Sequence, residues 1–331
     1  MNLKRLLFSI LFTVLVLISG KYFIYSTQTK KNSDDDYRKA FQINYKIFTA
    51  EVPSKLYFCE EEVPIKMYYV RESLERELLT NTFWQSNTML MLKRAYRWFP
   101  VIEPILKKNG LPDDFKYLAL IESGFLNVVS PANAAGFWQF IKPTGQRYEL
   151  EITEEVDERY HLEKATDAAC KFINTTYGMF NNWTLAAAAY NMGEGGVKRS
   201  LETQKVNSYY DLYLNDETSR YIYRILALKL IYSQPVKYGY YLRLKDLYPP
   251  IPFKTLNVDT SITNLVNFAK TNGITYKVLK DFNPWLRNKQ LTNKSRKSYQ
   301  IKIPLSGYDN YDNLMQPDSY RLLNDTLELN R

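Results

Sequence analysis

From about Val70 to Tyr232 apolar residues recur at three- and four-residue spacing with few glycines or prolines between them, a period that predicts helices. Ser73–Phe99 contains neither Gly nor Pro and predicts one long helix or two. Val101–Lys108 follows Pro100 and runs into Asn109-Gly110, a pair that stops helices because both tolerate a left-handed backbone. Leu111-Pro112-Asp113-Asp114 opens the next helix, with Pro early and two acids in the first turn to match the helix dipole. That helix runs to Ser123-Gly124. Ala165, Ala168, Ala169, Phe172, Ile173 and Phe180 recur at helical spacing, and their small members permit close approach of a neighbour. Thr184–Asn191 is an Ala-rich segment stopped by Gly193, and Glu217–Tyr232 closes the series. No internal repeat or array of alternating strands interrupts it. The pattern predicts a mainly α domain over 70–240.

The texture changes at Tyr248-Pro249-Pro250-Ile251-Pro252, a proline cluster that predicts a boundary. Beyond it, Ser261–Lys270 and Tyr276–Asp281 read as two short helices parted by Asn272-Gly273, and Tyr299–Pro304 alternates like a strand. Together they predict a small module over 253–306, followed by a polar tail over 307–331. At the other end, Lys4 and Arg5 precede the uncharged run Leu6–Gly20, which is an export signature. Lys21 interrupts the run before Tyr22–Tyr25, so 1–25 reads either as a signal peptide or as a short membrane anchor with Lys21 snorkelling. The basic flank leaves the remaining chain on the far side of the inner membrane, in the periplasm or cell envelope. No Cys lies near this segment, which excludes lipoprotein processing. Residues 26–69, with polar Thr27–Asp36, read as a linker and lead-in.

Small counts decide more than large ones. The 331 residues include one histidine, His161, and two cysteines, Cys59 and Cys170. One His excludes a two-His zinc site, and two Cys exclude a four-Cys zinc or iron–sulfur site within the chain. No metal or cofactor is therefore expected, and acid–base chemistry falls to Asp, Glu or Tyr. Lys and Arg exceed Asp and Glu by 44 to 35, a net charge of +9, which favours anionic partners or serves only solubility. No run of five basic residues occurs, which argues against nucleic acid. The 28 tyrosines suit sugar stacking and core packing equally. In an oxidising compartment Cys59 and Cys170 have the option of pairing.

Glu122 is the residue with most chemical interest. It ends the apolar stretch Leu118–Ile121, where partial desolvation raises a carboxyl pKa toward the range of a general acid. Taken alone, it reads more readily as a helix-terminal Glu whose head reaches water. Other groups carry less: Glu151, Glu154, Glu155, Asp157 and Glu158 predict a solvated acidic loop rather than a calcium site, Asp157 and Arg159 an ion pair, and His161 a surface or packed imidazole.

Three further pieces stand in order around Glu122-Ser123: Gly136–Gln139 in Ser130–Phe140, Tyr190-Asn191-Met192-Gly193, and Glu217-Thr218-Ser219-Arg220-Tyr221, with Val156–Arg159 between. Here the chain resembles lytic transglycosylase family 1, of the membrane-bound murein transglycosylase D type, over roughly Val63–Tyr240. The resemblance implies a goose-type lysozyme-like (SLT-type) helical domain that cleaves the β-1,4 bond between N-acetylmuramic acid and N-acetylglucosamine of peptidoglycan. Glu122 is then the single acid and base, and the muramyl 6-hydroxyl closes a 1,6-anhydro ring. It also implies substrate-binding roles for Ser123, beside Glu122; Gln139, lining the cleft; Tyr190, hydrogen-bonded to Glu122 or the sugar; Asn191, fixing the turn; and Glu217, at the cleft or a helix start. The carboxy-terminal module resembles a degenerate LysM unit, a βααβ fold that binds N-acetylglucosamine glycans, through Asp259–Ile262, Gly273–Thr275, Asn283-Pro284 and Ile301–Pro304. Peptidoglycan strands are the expected partner, with the membrane a second through the amino terminus. A hydrolytic muramidase on the same scaffold and a non-catalytic wall-binding protein are the alternatives.

Overall fold

The computed structural model describes residues 48–314. The expected export segment, the first half of the expected linker and lead-in, and most of the polar tail lie outside the described residues. Among the described residues no helix is long and apolar enough to cross a membrane.

The helical region holds α1 (Tyr68–Phe83), α2 (Gln85–Lys108), α3 (Lys116–Ser123), α4 (Lys142–Arg147), α5 (Leu162–Phe180), α6 (Trp183–Met192), α7 (Glu194–Gln204) and α8 (Asp216–Ser233). The mainly α class expected from the pattern is the class found. The ambiguous Ser73–Phe99 run is two helices, broken at Trp84. Contrary to the break expected at Pro100, α2 continues through Pro100 and Pro104. Phe99, Ile102 and Leu106 are buried on either side, and this burial offsets the hydrogen bonds the prolines remove. Asn109 and Gly110 then end the helix, Gly110 at φ +72°.

Helix α8 is the axis of the region. Tyr221, Ile222, Ile225, Leu226, Leu228 and Ile231 are buried on several sides of it, as in a helix surrounded by others. It runs against α1, α3 and α6, while α5 packs on α2 and α6. Ala186–Ala189 of α6 are fully buried, because only small side chains allow so close an approach.

The lead-in segment joins this core. Strands β1 (Tyr57–Phe58) and β2 (Glu61–Glu62) form a two-residue hairpin whose turn residues, Cys59 and Glu60, have φ of +50° and +66°. Phe58, Val63 and Ile65 are buried. The Glu61 carboxylate accepts hydrogen bonds from the amides of Trp183 and Thr184 and from the Thr184 hydroxyl, so it caps the start of α6. Cys59 and Cys170 are free, buried thiols.

The carboxy-terminal module is βααβ. Strand β3 (Phe253–Val258) pairs antiparallel with β4 (Tyr299–Pro304), Phe253 opposite Pro304 and Val258 opposite Tyr299. Between them lie α9 (Leu265–Thr271) and α10 (Tyr276–Phe282). Helix α9 starts later than the sequence suggested, because the Asn264 side chain accepts from the Asn267 amide and caps it there. Leu265, Ala269, Leu279, Leu286 and Ile301 form the module's core.

The acidic segment is not a solvated loop, as the sequence suggested. It is the seat of this module. The Glu155 carboxylate accepts from the Thr292 amide and hydroxyl and from Gln290, and the Glu155 carbonyl accepts from the Arg287 amide at 2.7 Å. The Asp157 amide donates to Trp285, Glu151 and Glu158 meet Lys297, and Glu163 meets Lys302. Ala135, Val156 and Tyr160 join the module's apolar cluster, so polar and hydrophobic contacts fix the two parts together.

Candidate active site

Glu122 is placed by the end of α3. Lys116–Ile121 are buried, and Gly124 stops the helix at φ +57° while its amide still donates to Leu120. The carboxyl group is thereby held between the buried end of α3 and the flank of α8. Tyr221 donates its hydroxyl to Oε1, and Oε2 has no hydrogen-bond partner among the described residues. Burial raises the Glu122 pKa to about 7; the Tyr221 hydrogen bond and the Arg224 charge oppose that rise, and the nearby Glu217 charge adds to it. The Tyr221 hydroxyl is pushed well above its ordinary range, first by burial and then by the Glu122 charge, so it remains a donor.

The expected site residues fall into two groups. Ser123, Gln139 and Tyr190 hold three successive carbonyls of the loop at Gly136–Gln139. Gln139 Nε2 donates to the Gly136 carbonyl at 2.7 Å, Ser123 Oγ to that of Phe137 at 2.9 Å, and Tyr190 Oη to that of Trp138 at 2.7 Å. Gln139 Nε2 also donates to Val128 at 3.1 Å, which closes the loop on itself. Of the two partners expected for Tyr190, Glu122 or the sugar, Glu122 is not the one it meets: its hydroxyl donates to the loop, and Tyr221 makes the contact to Glu122. Gly136 has a strict requirement, since a Cβ there would lie 1.9 Å from the Arg159 carbonyl oxygen at a φ of +78°. Arg159 braces the loop from behind, donating to Asn133 and Phe140 while paired with Asp157 at 2.7 Å.

Asn191 and Glu217 form the other group. Asn191 Nδ2 donates to Glu217 Oε1 at 2.9 Å, and its Oδ1 accepts from the Thr218 hydroxyl at 2.8 Å. Glu217 is both in the first turn of α8 and on the wall of a cavity of about 440 Å³. This cavity opens between α1, α2, α3 and α8, beside Ser123 and the buried Ile121, and Trp84, Arg94 and Arg224 complete much of its wall. A cavity of about 500 Å³ lies elsewhere, at the module junction, lined by Trp98, Phe137, His161 and Trp285. Glu122 and its neighbours Ile121 and Ser123 do not line it, so size does not identify the reactive site. Among the described residues no cluster of His, Cys, Asp and Glu is suited to a metal. His161 is packed, its ring 5.7 Å from that of Trp285.

Tyr221 is the residue that sequence reasoning passed over, although it ends the Glu217–Tyr221 piece. Its side chain crosses 99 positions of chain to reach Glu122, which local spacing does not reveal.

Residues 99–212 match the transglycosylase SLT domain, and residues 254–307 match the soluble lytic transglycosylase C-terminal LysM-like domain. The helical region and the βααβ module described above are therefore an SLT, lysozyme-like domain and a LysM-like module. The chain is similar to the membrane-bound lytic murein transglycosylase D of Escherichia coli (strain K12), 30% identical over 228 residues, covering 67% of this chain and 49% of that protein. It is also similar to a putative tributyltin chloride resistance protein of Alteromonas sp. (strain M-1), 30% identical over 120 residues, 36% of this chain and 58% of that protein. The chain thus spans about half the length of these curated relatives. Helix α8, with Tyr221, Glu217 and Arg224, lies beyond the matched SLT segment.

Proposed function

We propose that this chain, an SLT domain joined to a LysM-like module, is a peptidoglycan lytic transglycosylase that leaves 1,6-anhydro-muramyl ends. The observation that carries this reading is the state of Glu122: a carboxyl group with a pKa near 7, one oxygen held by Tyr221 and the other free. Tyr221 on Oε1 leaves Oε2 as the oxygen that carries the transferable proton. Oε2–H protonates the glycosidic oxygen as the bond to the muramyl anomeric carbon breaks. The resulting carboxylate takes the proton of the muramyl 6-hydroxyl, whose oxygen attacks the same carbon. Glu122 ends protonated and no water is consumed. Because the nucleophile is part of the substrate, the second carboxylate of an ordinary glycosidase is not required, and the ring closure gains from proximity. The relative named a murein transglycosylase supports the substrate class.

In this reading Ser123, Gln139 and Tyr190 fix the Gly136–Gln139 loop behind Ser123, which itself lines the cleft, and Asn191 holds Glu217 on the cleft wall. The catalytic unit spans 70–240 and the glycan-binding module 253–306, with 1–25 as signal or anchor and the cell envelope as location. One observation favours a second reading, hydrolysis: Glu217 lies close enough to act on the charge of Glu122, and its carboxylate is a candidate base for water. Mass spectrometry of digested peptidoglycan separates the two. Anhydro-muropeptides, one water lighter than reducing ends, support the first; reducing ends alone support the second; no cleavage by the wild type rejects both.

A further inference from the structure

The cavity beside Glu122 is rich in arginine, but its arginines are not alike. Arg220 is neutralised by the buried Glu77, with Nε 2.7 Å from Oε1, and it also faces Asp216 at 3.6 Å. Arg94 and Arg224 have no carboxylate within ion-pair distance among the described residues. Instead they donate to backbone on either side of Glu122: Arg94 Nε to the Gly124 carbonyl, and Arg224 Nη2 to the Ile121 carbonyl at 3.1 Å. Each keeps further N–H groups for another acceptor. The Arg94 head also lies against Gly124, where a Cβ would meet Nη2 at 3.2 Å, so the guanidinium is seated rather than free in solvent. Trp84, 61% exposed, lines the same cavity. Trp84 and Arg94 precede the matched SLT segment, and Arg224 follows it.

Two seated guanidiniums with no carboxylate at ion-pair distance face one cavity whose acidic groups are already engaged, Glu77 and Asp216 by Arg220 and Glu217 by Asn191. Although Arg224 also feels the Glu122 charge, the pair forms a receptor for a further carboxylate. The proposed glycan substrate carries such a group on one sugar only. N-acetylmuramic acid has a lactyl substituent, free or extended by a stem peptide with its own carboxylates, whereas N-acetylglucosamine has none. We propose that Arg94 and Arg224 bind a carboxylate of the muramyl substituent, and so place the muramyl residue, rather than an N-acetylglucosamine, next to Glu122. This proposal rests on the transglycosylase reading for its substrate class. The carboxylate has two sources: the bare lactyl group of peptide-stripped strands, or the stem peptide of intact ones.

The test is a binding measurement with the full chain carrying Glu122→Gln, so that turnover plays no part. Affinity is measured for peptide-bearing strands, for peptide-stripped strands, and for both after methyl esterification of their carboxylates. The proposal expects esterification to weaken binding about tenfold for one class, the usual scale of a charge-assisted contact at a partly exposed site. The class affected identifies the source. Arg94→Gln should abolish that difference while leaving affinity for esterified strands unchanged, and Arg94→Lys should retain part of it. Any response of the basic LysM-like module to esterification is common to the chains with and without Arg94, so the comparison between them isolates the arginine. Equal affinity for native and esterified strands overturns the proposal, as does an Arg94→Gln loss that is the same for both. If the wild type released no anhydro product, the transglycosylase reading would fail, yet the ester comparison would still report whether the arginines take a carboxylate.

Discussion

Replacing Glu122 by Gln tests the central claim through stability as well as activity. The amide keeps the shape of the side chain and a carbonyl to accept the Tyr221 hydroxyl, but it has no proton to lose. In the wild type the carboxyl pKa rises from 4.5 unfolded to about 7 folded, chiefly through burial. Below pH 4.5 the group is protonated in both states and costs nothing. Between 4.5 and 7 the unfolded chain releases the proton while the folded protein retains it, so folded stability falls as pH rises. Above 7 the loss is complete, about 3 kcal/mol as an upper bound from the pKa difference. The Gln variant escapes this loss.

Glu122→Gln should therefore match the wild type in stability at pH 4.5 and exceed it at pH 8 by as much as about 3 kcal/mol, or roughly 6–12 °C in Tm. Cleavage should fall by three or more orders of magnitude, roughly the contribution of an essential acid that is also the base. Thermal unfolding at the two pH values, alongside product analysis, provides the measurements. A stability gain of equal size at both pH values would refute the argument, because it would show that the effect comes from packing and not from ionisation. Retained cleavage would remove Glu122 from the chemistry.

Four further outcomes follow from the same geometry. Tyr221→Phe removes a hydrogen bond that lowers the Glu122 pKa, so the alkaline limb of the kcat/KM profile should move to higher pH while activity falls about tenfold or more. Glu155→Ala removes the acceptor for Thr292 and Gln290; limited proteolysis between the domain and the module should speed up while the fold of each part persists. Burial pushes the Glu163 carboxyl up, but the His161 hydrogen bond and the Lys302 charge outweigh it and hold the group down to about 2, so this part of the docking should be intact above pH 4.5 and lost as pH falls toward 2, readable by hydrogen exchange in 285–302. Glu61→Ala uncaps α6 and should cost about 1–2 kcal/mol in denaturant unfolding, whereas a surface acid such as Glu60 should cost little.

What the sequence reveals and what it hides divide along a physical line. Helices, their glycine stops and the place of Glu122 at the end of one are local consequences of period and backbone preference, and they were legible. The break at Trp84 and the passage of α2 through Pro100 were not, because burial of Phe99, Ile102 and Leu106 by distant elements outweighs the local signal. The acidic run from Glu151 to Glu158 looked solvated for the same reason. Its partners, Thr292 and Lys297, lie more than a hundred positions away, and charge alone does not say whether water or a lysine will meet it. The same limit governs the site. Motif order brings Glu122, the Gly136–Gln139 loop and Tyr190-Asn191 into one neighbourhood, but not which hydroxyl reaches which oxygen. Tyr190 and Tyr221 both feel the Glu122 charge, and only the packing of α8 against α3 decides that Tyr221 makes the contact and Tyr190 holds the loop. A Tyr190→Phe change should accordingly act through the loop: weaker substrate binding with the Glu122 pH profile almost unmoved, the opposite of Tyr221→Phe. If both substitutions shifted the profile alike, the division of labour between the two tyrosines would be wrong.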